Sequence, residues 1–186
     1  MGSGIPERIG WAVETLAVKG GDCLLEVGCG RGVAIAQIAP LLTSGHVLAI
    51  DRSATAIAAA KAHNRKWEAD GKVTFRRSAF CDLGADISCF DKIFSINVNL
   101  FWIDPRAELP VVRKLLKKKG ALYLFFQPPV RGQREKIVGR ITEGFSGSDL
   151  VIERIIMKSD GAPLLCLICR LSGRGCMGRA ASWPPV

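Results

Sequence analysis

The sequence predicts an α/β domain built on a doubly wound, mostly parallel sheet of seven strands that ends in an antiparallel hairpin. Three observations predict it. Five short apolar runs alternate with stretches whose apolar residues recur at helical spacing, the pattern of parallel strands joined by covering helices. Two further apolar runs near the C-terminus are joined by Ser159-Asp160-Gly161, a connection suited to a hairpin. The first apolar run ends in an acid and passes into three alternate glycines, Gly28, Gly30 and Gly32, just before a helical pattern begins. Right-handed crossovers then leave few topologies open.

Each element has its own signal. Glu7 to Val18 places Ile9, Ala12, Val13 and Leu16 on one helical face, and Gly20-Gly21 stops it. Cys23 to Val27 is the first strand, and Val33 to Leu42 resumes helical spacing. His46 to Ile50 is a second strand ending at Asp51, after which Ser53 is suited to cap a single alanine-rich helix over Ala54 to Ala69. Lys72 to Arg76 reads as the third strand and Phe90 to Asn97 as the fourth. Asp104-Pro105 supplies an N-cap and a first-turn proline for a helix closing at Gly120, with Lys117-Lys118-Lys119 in its last turn, where cations complement the helix dipole. Ala121 to Phe126 is the fifth strand, Arg131 to Thr142 a weakly helical stretch, and Leu150 to Met157 with Leu164 to Leu171 the hairpin.

With 186 residues, of which 48% are apolar and 23% charged, the chain suits one sizeable domain. The expected organisation is one domain over residues 1–171 and a mobile Gly-, Arg- and Pro-rich tail over residues 172–186. No apolar run approaches the roughly 20 residues of a membrane span, and no charged-then-apolar leader opens the sequence, so a cytoplasmic protein without a membrane partner is expected. Seven cysteines lying mostly in apolar runs read as buried hydrophobes; Cys166-Leu167-Ile168-Cys169 lacks the second ligand pair a zinc site needs, and no metal is expected. The net charge of +9 admits a nucleic-acid partner, but the lysines and arginines are scattered, which does not favour one.

The glycine turn excludes two common nucleotide sites. A dinucleotide fingerprint needs its third glycine at position 33, which is Val33, and a phosphate-binding P-loop needs a lysine that this turn lacks. Asp51 adds a second signal: an acid ending the second strand, about 20 residues beyond the turn, suits hydrogen bonds from two ribose hydroxyls.

Glu26-x-Gly28-x-Gly30-x-Gly32 resembles the first motif of class I S-adenosylmethionine-dependent methyltransferases. The resemblance extends over about residues 5 to 171 and implies their Rossmann-like fold and S-adenosyl-L-methionine as cofactor, with S-adenosyl-L-homocysteine as product. It implies that Glu26 helps hold the amino-acid end of the cofactor, alongside a possible role in capping N–H groups of the same turn. It further implies cofactor contacts from Gly28, Cys29, Gly30 and Gly32, from Asp51 and Arg52, and from Asn97. Many family members carry an acid after the third strand for the adenine amino group; here Ser78 stands there, with the Ala79 N–H beside it and Asp82 as a substitute should the loop be shifted.

Asn97-Val98-Asn99-Leu100-Phe101-Trp102, followed by Asp104-Pro105, is similar to the fourth-strand motif of the small-molecule branch. The amino-methyltransferases of nucleic-acid bases carry Asn/Asp-Pro-Pro-aromatic at this point instead, and the Pro-Cys nucleophile of cytosine C5 enzymes is absent. The implied activity is therefore methyl transfer to a small-molecule acceptor, with an RNA or protein methyltransferase and a non-catalytic cofactor-binding module as the alternatives. In this architecture the N-terminal helix and the loops after strands four and five border the cleft, which names Trp11, Trp102, Gln127, Arg131 and Arg134 for the acceptor. An in-line displacement depends chiefly on orientation, and neither His46 nor His63 is placed to act as a base, so no catalytic residue is nominated.

Overall fold

In a computed structural model the structure describes residues 4–84, 87, 89–130, 132–158 and 160–173. The seven strands are β1 (Cys23–Val27), β2 (His46–Asp51), β3 (Val73–Arg77), β4 (Phe90–Ile96), β5 (Leu116–Phe126), β6 (Leu150–Lys158) and β7 (Leu164–Leu171). They form one sheet in the order β3-β2-β1-β4-β5-β7-β6. Strands β1 to β5 are parallel, and β7 runs antiparallel to both β5 and β6.

Alternation along the strands divides the core between the two faces. Leu24, Tyr123 and Phe125 face α1 (Glu7–Leu16), α2 (Val33–Ile38) and α3 (Ala54–His63). Leu25, Leu122 and Leu124 face α6 (Leu109–Leu115) and α7 (Gln133–Phe145), together with Phe101 of α5 (Leu100–Ile103). Because the chain leaves β1 for β2 on one side and returns to β4 on the other, a crevice opens at the carboxyl ends of β1, β2 and β4, where open α/β sheets bind ligands.

Three sequence expectations are corrected. The helix expected over Ala54 to Ala69 breaks at Asn64 into α3 and α4 (Arg65–Ala69). Asn64 is buried, and its amide donates to the carbonyls of Ala60 at 2.9 Å and Gly32 at 3.1 Å, so its side chain competes with the helical ladder while tying α3 to the glycine turn. The helix expected from Asp104 to Gly120 is confined to Leu109–Leu115. Asp104 is engaged by the backbone N–H and guanidinium of Arg106, and Pro110, not Pro105, lies in the first helical turn.

The lysine run accordingly sits in β5, not at a helix end: Leu116 pairs with Phe90, and Lys117 bridges Asp91 at 2.7 Å. Gly120 lies within this strand, where a Cβ would meet the Phe90 carbonyl oxygen at 2.9 Å and that of Asp91 at 3.0 Å. Glycine here permits close strand approach beside the irregularity between Phe90 and Lys92, and does not end a helix. Short α5 has no counterpart among the expected elements; it buries Phe101 edge-on against Phe80, with ring centroids 5.8 Å apart. The tail expected over residues 172–186 lies, beyond Gly173, outside the described residues.

Candidate active site

The glycine turn is built from left-handed backbone. Gly28, Gly30 and Gly32 have φ of 75°, 54° and 72°, a region strained for residues with a Cβ. The N–H groups of Gly28 and Cys29 both donate to the Ile50 carbonyl at 2.9 Å, which clamps the turn to the end of β2. The three glycines do different work. A Cβ at Gly28 would lie 2.5 Å from a Val98 methyl, and one at Gly32 would lie 2.6 Å from the Asn64 amide nitrogen, so both positions serve close packing. A Cβ at Gly30 would meet nothing within 4 Å, so the backbone there faces open space.

Asp51 joins the turn to the following helix. Its Oδ2 accepts the Gly30 N–H and its Oδ1 the Ser53 N–H, each at 2.9 Å. A carboxylate has about four lone-pair directions, so both oxygens retain acceptor capacity toward a ligand. Glu26, at the penultimate position of β1, is buried, and its Oε2 has no hydrogen-bond partner. Burial, reinforced by the nearby Asp51 charge, pushes its carboxyl up to about 8. No N–H of the glycine turn caps this buried oxygen, which therefore calls for a donor, ideally a cationic one.

A cleft of about 1010 Å³ lies over these strand ends. One side is formed by Gly28, Asp51 and Arg52, and another by Ser78, Ala79 and the short turn Phe80–Asp82. The Ser78 N–H donates to the Asp51 carbonyl at 3.0 Å and its hydroxyl to the Ala79 carbonyl at 2.9 Å, so the hydroxyl proton is engaged and its oxygen retains acceptor capacity at a cleft-lining position. The third side is Asn97 to Leu100. Asn97 is itself left-handed, at φ 56°, and is held there by its N–H to the Phe125 carbonyl at 2.8 Å and by its Oδ1 accepting the Gln127 N–H at 2.6 Å.

Six of the proposed cofactor residues thus line one cleft: Gly28, Asp51, Arg52, Ser78, Ala79 and Asn97. Glu26, Cys29, Gly30 and Gly32 do not line the cleft themselves but belong to the strand end and turn that carry Gly28 into it; Cys29 is buried, and burial raises its thiol far above the ordinary range. Asp82 lines the cleft as well, as does Glu108, which no sequence motif marks.

The acceptor residues are not gathered there. Trp11 packs edge-on against Phe125, 5.7 Å between centroids, and lines a separate groove with Tyr123 and Arg170. Trp102 turns its indole N–H to Asn99 at 3.0 Å and its ring to Arg140, beside another groove. Arg134 is buried, and its guanidinium donates to the Lys158 carbonyl, tying α7 to β6 rather than facing a ligand. Gln127 does not line the cleft, and its N–H donates to Asn97 Oδ1, which does. Arg131 lies outside the described residues.

The histidines stand away from the cleft. His46 is buried at the start of β2, with its ring nitrogens on the Gly71 carbonyl and the Thr74 hydroxyl, and burial lowers its pKa. Cys166 and Cys169 are buried free thiols within β7, both pushed up by burial. Among the described residues no group of three or more His, Cys, Asp or Glu is arranged to hold a metal ion, and no helix is long and apolar enough to cross a membrane.

The sequence profile of the methyltransferase domain family matches residues 24–120, from β1 to the middle of β5. The chain belongs to that family. It is also similar to YrhH of Bacillus subtilis (strain 168), which its name places among the methyltransferases; the two are 24% identical over 156 residues, 84% of this chain and 82% of that protein. Among solved structures, a SAM-dependent methyltransferase from Aquifex aeolicus superposes with a TM-score of 0.71 at 18% identity, covering 88% of this chain and 92% of the other. The geranyl diphosphate C-methyltransferase of Streptomyces coelicolor A3(2), solved with Mg2+, geranyl diphosphate and S-adenosyl-L-homocysteine, superposes with a TM-score of 0.68 at 12% identity, covering 88% of this chain and 78% of the other. At these identities the superpositions establish the shared fold, and the profile match establishes the family.

Proposed function

We propose that this methyltransferase transfers a methyl group from S-adenosylmethionine to a small-molecule acceptor, with the donor held across the glycine turn. The observation that carries the reading is the buried Glu26 carboxylate, whose Oε2 lacks a partner beside a turn that is open at Gly30. Those features fit a ligand with an ammonium at one end and a body that approaches the main chain. Glu26 accepts the ammonium, and in doing so becomes ionised and paired. Asp51, already oriented by Gly30 and Ser53, accepts the two ribose hydroxyls through its remaining lone pairs. The Ser78 hydroxyl and the Ala79 N–H would meet the adenine edge, and Arg52 with Val98 and Leu100 would border the rest of the nucleoside, all of them lining the one cleft.

When bound, S-adenosylmethionine supplies an electrophilic methyl on a sulfur already activated as a leaving group. The protein's part is orientation: the clamped turn and the left-handed Asn97 hold the walls that align acceptor and methyl. A cleft of about 1010 Å³ is at the upper end of ordinary ligand pockets, roughly 300–1,000 Å³, which leaves room for an acceptor beside the donor. The charges of the cleft are mixed, since Asp51, Asp82 and Glu108 share its walls with Arg52 and Arg77.

The test is transfer of a labelled methyl from S-adenosylmethionine to a broad panel of small acceptors, with total RNA and protein as parallel acceptors. Label in a small product and none in RNA or protein is expected. Labelling of RNA or protein alone would reject the small-molecule reading, and no transfer to any acceptor would point to a binding module.

A further inference from the structure

Glu108 is a buried acid in the lining of the cleft, and it has no part in holding the methyl donor as described above. Its backbone is fixed just before α6: the N–H donates to the Pro105 carbonyl and the carbonyl accepts the Val112 N–H, both at 2.9 Å. The side chain is about 5% exposed, reaches the cleft wall beside Cys81 and Asp82, and has an Oε2 with no hydrogen-bond partner. Asp104, itself paired with Arg106, is the like charge that acts on it, and no lysine or arginine forms an ion pair with Glu108 among the described residues. Burial raises its pKa, Asp104 adds to the rise, and its own backbone N–H opposes both.

A buried carboxyl oxygen without a donor destabilises the fold that holds it. An unsatisfied buried polar atom beside a cleft points to a role for that atom in what the cleft holds. We propose that Glu108 binds an N–H donor group, an amine, amidine or exocyclic amino group, of a ligand held in this cleft. The inference rests on the donor reading above and extends it to the side of the cleft that faces the β3 end. Two sources carry that chemistry: the amino group of the donor's purine, and an amine on the acceptor. A hydroxyl acceptor would satisfy Glu108 less well, since a cationic or polarised N–H pairs with an ionised carboxylate more strongly than a neutral hydroxyl does.

The test uses the full chain with Glu108→Leu, which keeps bulk and removes the carboxylate, and Glu108→Gln, which keeps shape. Thermal melts come first: removing an unsatisfied buried acid is expected to leave Tm unchanged or to raise it. S-adenosylhomocysteine and its deaminated analogue S-inosylhomocysteine are then titrated calorimetrically, and benzylamine is titrated into both ligand-free and S-adenosylhomocysteine-saturated protein. If the purine is the source, the wild type prefers S-adenosylhomocysteine over the analogue by tenfold or more, and Glu108→Leu brings that preference below threefold. If the acceptor is the source, S-adenosylhomocysteine binding is unchanged and benzylamine affinity falls tenfold or more in Glu108→Leu. Either result supports the proposal. Unchanged binding in both arms, or a Tm that falls in both variants while binding is retained, overturns it. Failure of the wild type to bind S-adenosylhomocysteine rejects the methyl-donor reading instead, and the benzylamine titration of ligand-free protein still decides for or against Glu108.

Discussion

Replacing Glu26 by Gln separates the stability of the empty fold from the affinity of the site. In the folded protein the carboxyl is pushed from an ordinary glutamate value of 4.5 up to about 8. Between those pH values the folded protein holds a proton that the unfolded chain has released, so folding stability falls as pH rises through this window. At about 1.4 kcal/mol per pH unit the full loss is on the order of 5 kcal/mol above pH 8, of which about 4 kcal/mol falls between pH 5 and pH 9. Glutamine cannot ionise, so the variant escapes that loss, although its buried amide gives back roughly 1–3 kcal/mol. For a chain of this length, each kcal/mol moves Tm by about 2–4 °C. The Tm of Glu26→Gln minus that of the wild type is therefore expected to climb by roughly 8–16 °C between pH 5 and pH 9, with other titrating groups cancelling in the difference. Differential scanning fluorimetry of ligand-free protein reads this directly. S-adenosylmethionine affinity moves the opposite way: loss of a charge-assisted bond of about 1.5–3 kcal/mol weakens binding roughly 10- to 150-fold at pH 7.5. A Tm difference that is flat with pH, or undiminished affinity in the variant, would refute the assignment of Glu26 as a buried acid awaiting a cation.

The glycines should divide by role. Gly30→Ala adds a Cβ to open space at φ 54°, so about 1–2 kcal/mol of stability is lost while ligand affinity falls sharply; equal losses of affinity and stability in a melt and a titration would contradict this. Gly28→Ala carries the same backbone strain plus a 2.5 Å approach to Val98, and its Tm should lie below that of Gly30→Ala. Asp51→Ala should weaken S-adenosylmethionine binding by on the order of 1–3 kcal/mol and loosen the turn, visible as faster amide exchange at Gly30 and Ser53; unchanged exchange would detach Asp51 from the turn. Asn64→Leu removes bonds to both Gly32 and Ala60 and is expected to lower stability by roughly 1–3 kcal/mol in urea melts, with a neutral result showing that the break between α3 and α4 does not depend on that side chain.

Local patterns made the parallel part of the fold legible, because strands buried on both faces read as short apolar runs and each ends at a distinctive residue. Asp51 was marked by its distance from the glycine turn, and that distance reflects one strand-turn-helix-strand unit. Long-range pairing was not legible. The lysine run looks like a helix end until the pairing of Leu116 with Phe90 and the ion pair of Lys117 with Asp91 draw it into β5. Asn64 looks like one more helix residue until the Gly32 carbonyl lies within its reach. Side-chain direction was not legible either: Trp11 packs against Phe125, and Arg134 donates to the Lys158 carbonyl. Glu108 carries no pattern at all, since burial of a lone acid depends on what packs around it.

The central claim is that the turn from Glu26 to Gly32 is a site for S-adenosylmethionine. Calorimetric titration of the full chain with S-adenosylmethionine and, separately, with NAD tests it most directly. Saturable, one-to-one heat is expected with the former and none with the latter. No heat with S-adenosylmethionine, or tight binding of NAD, would contradict it.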